Sequence, residues 1–202
     1  VEVYDSETDM HYGMSVYYGY GLNGDGVQIL NTGNEVRIVG TVQYYEAGGT
    51  WQVSGLSYRS MKPDDPNNIQ KLSEGHEPAY VLTDPERFAN GTVDVVVDET
   101  VTTLPYAKLA LSTSLRMENL VVKDVYTTDN EDSSSNGAMT LTCEVGGITI
   151  SVRTVVLFDG NGNLVTADAY LGKTIDVRGI LDYFDGTYQI KVFSVNDITI
   201  HN

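Results

Sequence analysis

The side chains able to do chemistry are few and far apart. His11, His76 and His201 are the three histidines, and Cys143 is the single cysteine. No HExxH, CxxC, GxSxG or Walker-type loop occurs. A nucleophilic Cys143 would need a partner base and a cleft, and the sequence names neither. Next to Glu144 in a predicted strand, Cys143 reads as a small buried hydrophobe. Asp and Glu total 28, so carboxylate pairs for glycoside hydrolysis are available, but abundance does not pair them. The expectation is a non-enzyme with no catalytic residue and no cofactor.

Metal binding has one weak candidate. Asp159, Asn161 and Asn163 alternate with Gly160 and Gly162, and Asp168 follows. Alternate oxygen ligands suit calcium, which takes roughly six to eight of them. Leu164 and Tyr170, however, stand where an EF-hand loop needs Gly and Glu. The segment reads better as a turn, because Asp, Asn and Gly tolerate positive φ. Asn23-Gly24-Asp25-Gly26 is a turn of the same kind.

Ring chemistry is the strongest binding signal. Tyr12, Tyr17, Tyr18 and Tyr20 crowd one stretch, and Tyr44, Tyr45 and Trp51 follow. Exposed rings stack on sugars or bases, but tyrosines also fill barrel cores and rims. Tyr17, Tyr18, Tyr20, Tyr44 and Trp51 are therefore candidate ligand contacts. Arg153 joins them, as part of a possible anion site shared with Arg178, with surface charge as the plainer reading of both. The sequon Asn90-Gly91-Thr92 matters only in a host that glycosylates by that rule.

These residues must be positioned by a repeated element. Residues 33–53 read GNEVRIVGTVQYYEAGGTWQV and residues 172–190 read GKTIDVRGILDYFDGTYQI. Gly33 matches Gly172, Gly40 matches Gly179, and Tyr44-Tyr45 match Tyr183-Phe184. Thr50-Trp51-Gln52-Val53 match Thr187-Tyr188-Gln189-Ile190. Each copy predicts a β-hairpin, with Val36, Ile38 and Val42, or Ile175, Val177 and Leu181, alternating with polar or small residues. The mid-strand glycines Gly40 and Gly179 predict a sharp bend. Gly48-Gly49 and Asp185-Gly186 supply the turns.

A strand precedes each hairpin: Met14–Tyr18 in the first copy and Ile148–Leu157 in the second. The second copy carries two further strands, about Leu115–Thr128 and Ala138–Val145, around the polar loop Asp129–Gly137. The first copy has no counterpart of the long first strand. Trimming, replacement by Val93–Val97, or a strand donated by another chain would each account for that. The chain starts at Val1 without Met, as a processed or trimmed polypeptide does.

The order strand, strand, strand, short connection, strand, strand is that of a five-stranded Greek-key barrel. VRIVGTVQYYEAGGTWQV and IDVRGILDYFDGTYQI resemble the fourth and fifth strands of the OB-fold modules found in large surface proteins of anaerobic gut Firmicutes and appended to secreted bacterial nucleases. The resemblance covers residues 111–202 almost completely and 1–60 in part. It implies a mainly β chain of two OB-fold-like barrels, the first lacking its first strand, in an extracellular or cell-surface setting.

The domain reading is 1–60 for the incomplete barrel, 61–110 for a connector, and 111–202 for the complete barrel. Met61–Glu77 reads as an exposed connection. Thr83 or Asp84, Pro85 and Gly91 mark the cap, first residue and stop of one short helix. Thr92–Thr103 is β-rich.

Composition sets limits on function. Twelve Lys and Arg against 28 Asp and Glu leave a formal charge of −16, shared by all three segments. Duplex nucleic acid is disfavoured, because phosphate neutralisation needs clustered cations. An anionic membrane surface is disfavoured too, and no apolar run suits membrane insertion. The reading is a non-catalytic binding or spacer module of a secreted or surface protein. Rivals are an oligonucleotide-binding pair, a carbohydrate-binding module and a structural subunit accepting a donated strand. The partner is open: a surface polysaccharide, or another chain completing the first barrel.

Overall fold

The computed structural model describes residues 1–18, 22, 24–46 and 50–201. The chain is mainly β and divides into two compact units. Val1 and Met14–Ala79 form the first; Glu2–Gly13 and Tyr80–Asn202 form the second.

β1 (Glu2–Asp5) and β2 (Met10–Gly13) make an antiparallel hairpin. Asp5 organises its turn, accepting hydrogen bonds from Glu7 N (3.0 Å) and Thr8 Oγ1 (2.7 Å). These bonds hold the Asp5 carboxyl below its ordinary range. The hairpin belongs to the second unit, where Met10 is buried in the main core. Both Glu2 carboxylate oxygens accept from Ser114, at 2.7 Å from N and 2.6 Å from Oγ. A side chain at Gly13 would lie 2.3 Å from the Ser112 carbonyl carbon, so the close approach requires glycine. The early residues thus leave the 1–60 segment to which their sequence position assigns them.

The first unit contains β3 (Ser15–Val16), α1 (Asp25–Gln28), β4 (Glu35–Arg37), β5 (Thr41–Tyr45), β6 (Thr50–Ser54) and β7 (Gln70–Ser73). Among the described residues they form a three-stranded sheet, β3-β6-β5, and a two-stranded sheet, β4-β7. Leu22, Val53, Leu56 and Ile69 make its small core. Met61–Glu77 is exposed over most of its length, but it also carries β7 and buries Asn68 and Ile69. Asn68 ties the preceding loop together, accepting from Arg59 N (2.9 Å) and donating to Lys62 O (2.8 Å).

The second unit adds β8 (Val81–Leu82), α2 (Pro85–Asn90), β9 (Thr92–Val97), β10 (Thr100–Pro105), α3 (Tyr106–Leu109), β11 (Ser114–Thr127), β12 (Met139–Val145), β13 (Ile148–Thr154), β14 (Thr174–Phe184), β15 (Thr187–Val192) and β16 (Ile198–His201). α2 starts as its sequence predicts. The Asp84 side chain accepts from Arg87 N at 3.0 Å, Pro85 opens the helix, and Gly91 N closes on Arg87 O. The connector holds a second short helix, α3, beyond the single one expected. Its Tyr106 and Ala107, with Phe88 of α2, are buried in the second unit's core. β9 pairs with β10 as a hairpin and does not serve as a first strand for the other unit.

β11, β12, β13, β15 and β14 close into a five-stranded barrel, with β14 returning to β11. The β13–β15 pair is parallel and the rest are antiparallel. Alternation fills the interior: Leu115, Met117, Leu120 and Val122 from β11, Met139, Leu141 and Cys143 from β12, Ile150 and Val152 from β13. β14 bends at Gly179, pairing with β11 before the bend and with β15 after it. Asp185 and Gly186, at φ 46° and 82°, form the tight turn into β15.

The two copies share one register. In β14–β15, Leu181 faces Ile190, Asp182 faces Gln189 and Tyr183 faces Tyr188. In β5–β6, Val42 faces Val53, Gln43 faces Gln52 and Tyr44 faces Trp51. Ser15 and Val16 run parallel to Gln52 and Val53, as Ser151 and Val152 do to Gln189 and Ile190. β4–β7 repeats β14–β16. Two barrels were expected, the first short of one strand. One closed barrel is present, and the first unit has no counterpart of β11 or of most of β12 among the described residues. Alternation within a surviving strand says nothing about whether its neighbours exist.

A candidate binding cleft on the closed barrel

Residues pointing away from a closed barrel core must build any site on its wall. On β13 these are Ser151 and Arg153, on β15 Thr187, Gln189 and Lys191, and on β14 Asp182 and Phe184. Register aligns Thr140, Arg153 and Lys191 in one row across three strands. The next row is Thr142, Ser151, Gln189 and Asp182. The loop after β11 (Ser134, Ser135) and the β14–β15 turn (Asp185) rise beside the rows and enclose a cleft of about 790 Å³.

Arg153 is the fixed cation of this cleft. Its Nη1 donates to Thr140 Oγ1 at 3.0 Å and its Nη2 to Thr128 Oγ1 at 2.9 Å. Neutral hydroxyls therefore orient the guanidinium, and among the described residues no carboxylate pairs with it. Arg178, by contrast, pairs with Asp197 at 2.7 Å and lies over the Tyr80 ring. Gln189 donates to Asp182 Oδ2 at 2.8 Å, fixing a second polar pair on the cleft floor. Tyr126 and Phe184 stand at its edges, Phe184 with 71% of its surface exposed. Such exposure is costly for a phenyl ring and leaves its face free for stacking.

The aromatic candidates belong to the first unit and Arg153 to the second. Tyr17 and Tyr18 follow β3 and are exposed, and Tyr20 lies outside the described residues. Tyr17 holds the repeat position of Arg153, and Tyr45 that of Phe184. Tyr44 and Trp51 pair across strands with ring centroids 5.4 Å apart. Their counterparts, Tyr183 and Tyr188, pair at 4.9 Å and lie half-buried on the inward side. Sequence reasoning missed Tyr126, Phe184 and Lys191. The signal available for Phe184 and Lys191 was their outward phase relative to Leu181 and Ile190.

Asp159 of the loop candidate is already engaged. Its Oδ1 accepts from Asn161 N and Asn163 N, both at 2.8 Å, and its Oδ2 from Asn163 Nδ2 at 3.0 Å. These bonds, the Asn163 side chain's first, hold its carboxyl below the ordinary range. Asp168 sits on the short 3-10 turn Ala167–Ala169. Among the described residues no three His, Cys, Asp or Glu side chains are grouped to hold a metal.

Two histidines meet polar partners. His201 Nε2 lies 2.8 Å from Asp176 Oδ1. Ser73 Oγ donates to Glu35 Oε2 and lies 2.6 Å from His76 Nε2. This is not the order of a hydrolytic triad, in which the imidazole stands between hydroxyl and carboxylate; here the Ser73 hydroxyl stands between Glu35 and His76. Cys143 is fully buried, and burial pushes its thiol up to about 12. Iodoacetamide at mildly alkaline pH is expected to leave Cys143 unmodified in the folded protein and to alkylate it fully in denaturant. Mass spectrometry reads both, and rapid native labelling would contradict this burial.

No family model matches the chain, and no curated protein matches its sequence.

Proposed function

We propose that this chain is a non-catalytic binding module of a secreted or cell-surface bacterial protein, and that its closed barrel takes an oligosaccharide across the outer face of β12, β13 and β15. The observation that carries this reading is the cleft containing Arg153. Its order, 1-2-3-5-4 with closure on strand 1, is that of an OB fold, whose ligands lie on this face between these loops. We read the first unit as a diverged second copy of the same module.

The lining suits a polyhydroxylated ligand. Arg153 and Lys191 are matched by Asp182 and Asp185, so the cleft carries no net charge. Hydroxyl and amide groups supply directional hydrogen bonds, and Phe184 and Tyr126 supply stacking faces at the edges. A nucleic-acid strand would need an excess of cations there, and the whole chain carries −16. The resemblance to modules of bacterial surface proteins supports the extracellular setting.

Glycan-array binding followed by calorimetry tests this. Phe184→Ala and Arg153→Met are each expected to weaken the retained glycan at least about tenfold, near 1.4 kcal/mol. Circular dichroism should stay native, since both side chains face outward. Failure to retain any glycan would overturn the reading. So would tighter binding to single-stranded DNA with a steep salt dependence.

A further inference from the structure

We propose that the first unit receives a two-stranded antiparallel β-hairpin from polypeptide outside residues 1–202, and that this hairpin occupies the places that β11 and β12 hold in the second unit.

The repeat itself identifies the occupant. Met14 N donates to Val1 O at 2.9 Å, and the Val1 amino group donates back to Met14 O at 3.1 Å. With Ser15 equivalent to Ser151, Met14 is equivalent to Ile150, whose partner is Cys143. Val1 therefore stands at the Cys143 position. The positions of Met139–Thr142 and of all of β11 have no counterpart among the described residues.

The inner face shows the consequence. Leu181 is 1% exposed, whereas Val42 at its repeat position is 55% exposed. Tyr188 is half-buried, and Trp51 at its position is 59% exposed. Tyr44 and Val16 lie on the same inward side. Val42, Tyr44 and Trp51 are in core phase yet half exposed or more, and such a patch marks a docking face. In the second unit that face is covered by Leu115, Met117, Leu120 and Val122 of one strand and Met139 and Leu141 of the next. The required partner is thus a hairpin with apolar residues at alternate positions, its second strand in line with Val1. Main-chain pairing would supply affinity and the alternate side chains specificity. The chain's own hairpins β1–β2 and β9–β10 both belong to the second unit.

Trp51 is the single tryptophan, so its fluorescence reports on this face. The test joins a copy of residues 113–142 to the amino end of the full chain, so that Val1 follows in the Cys143 position. The expected result is Trp51 emission at shorter wavelength and amide exchange at Val16 and Thr41–Tyr45 slowed at least about tenfold. Val42→Asp should reverse both effects in the joined chain and leave exchange in β11–β15 unchanged. Trp51 emission unaltered by the joined hairpin would overturn the proposal. So would a concentration-dependent dimer of the unjoined chain that shields Trp51, since a second copy would then be the occupant.

Discussion

Leu181→Ala is expected to destabilise the second unit by about 2–5 kcal/mol, whereas Val42→Ala should change stability by less than about 0.5 kcal/mol. The two positions are equivalent in sequence and register, each facing the aliphatic residue of the next strand, Ile190 or Val53. What differs is what lies above them. Leu181 sits inside a closed barrel whose residues cannot all collapse into the space left by its isobutyl group. Val42 is more than half exposed, so truncation removes little buried area and leaves no cavity. Denaturant melts should be read separately for the two units by amide exchange, because one transition need not describe both. Equal losses at the two sites would mean that Val42 is covered in solution.

Gly179→Ala is the second large effect, expected to cost at least about 1–3 kcal/mol. An added methyl would lie 2.4 Å from Lys191 O and 3.0 Å from Ile190 Cγ2. The oxygen is backbone and belongs to the paired strand, so relief requires β14 and β15 to part where the barrel turns. Gly40 meets the same surroundings, 2.6 Å from Ser54 O and 3.0 Å from Val53 Cγ2. Gly40→Ala should cost less, because β5 and β6 belong to a small three-stranded sheet that can shift. Thermal midpoints of the two variants check the order. A neutral Gly179→Ala would show that the barrel corner is looser than its packing implies.

The shared register of the two glycines explains how much the sequence conveyed. Gly40 and Gly179, the aromatic pairs and the Gln52 and Gln189 steps are local features, each set by a hairpin's own geometry. Alternation set Ile175, Val177 and Leu181 on one face of a strand, and Asp84, Pro85 and Gly91 bounded a helix. Such short-range constraints need only a few neighbouring residues to act, so they can be read one segment at a time. The turn role of Asp159 belongs to the same class, because its bonds reach no further than Asn163.

Burial is another matter, since it depends on what a strand's neighbours contribute. Tyr44 and Trp51 read equally as ligand contacts or as barrel filling, because aromatic residues look alike whether a core awaits them or a ligand does. Tertiary structure placed them on the inward side, without the two strands that cover the same side of the second unit. It also placed Glu2–Gly13 in the second unit and gathered Arg153, Lys191 and Phe184 from three strands into one cleft. By itself the sequence determined that this is a β chain built on a repeated hairpin. Only the tertiary structure decided which copy closes, because closure is a property of five strands pairing at once.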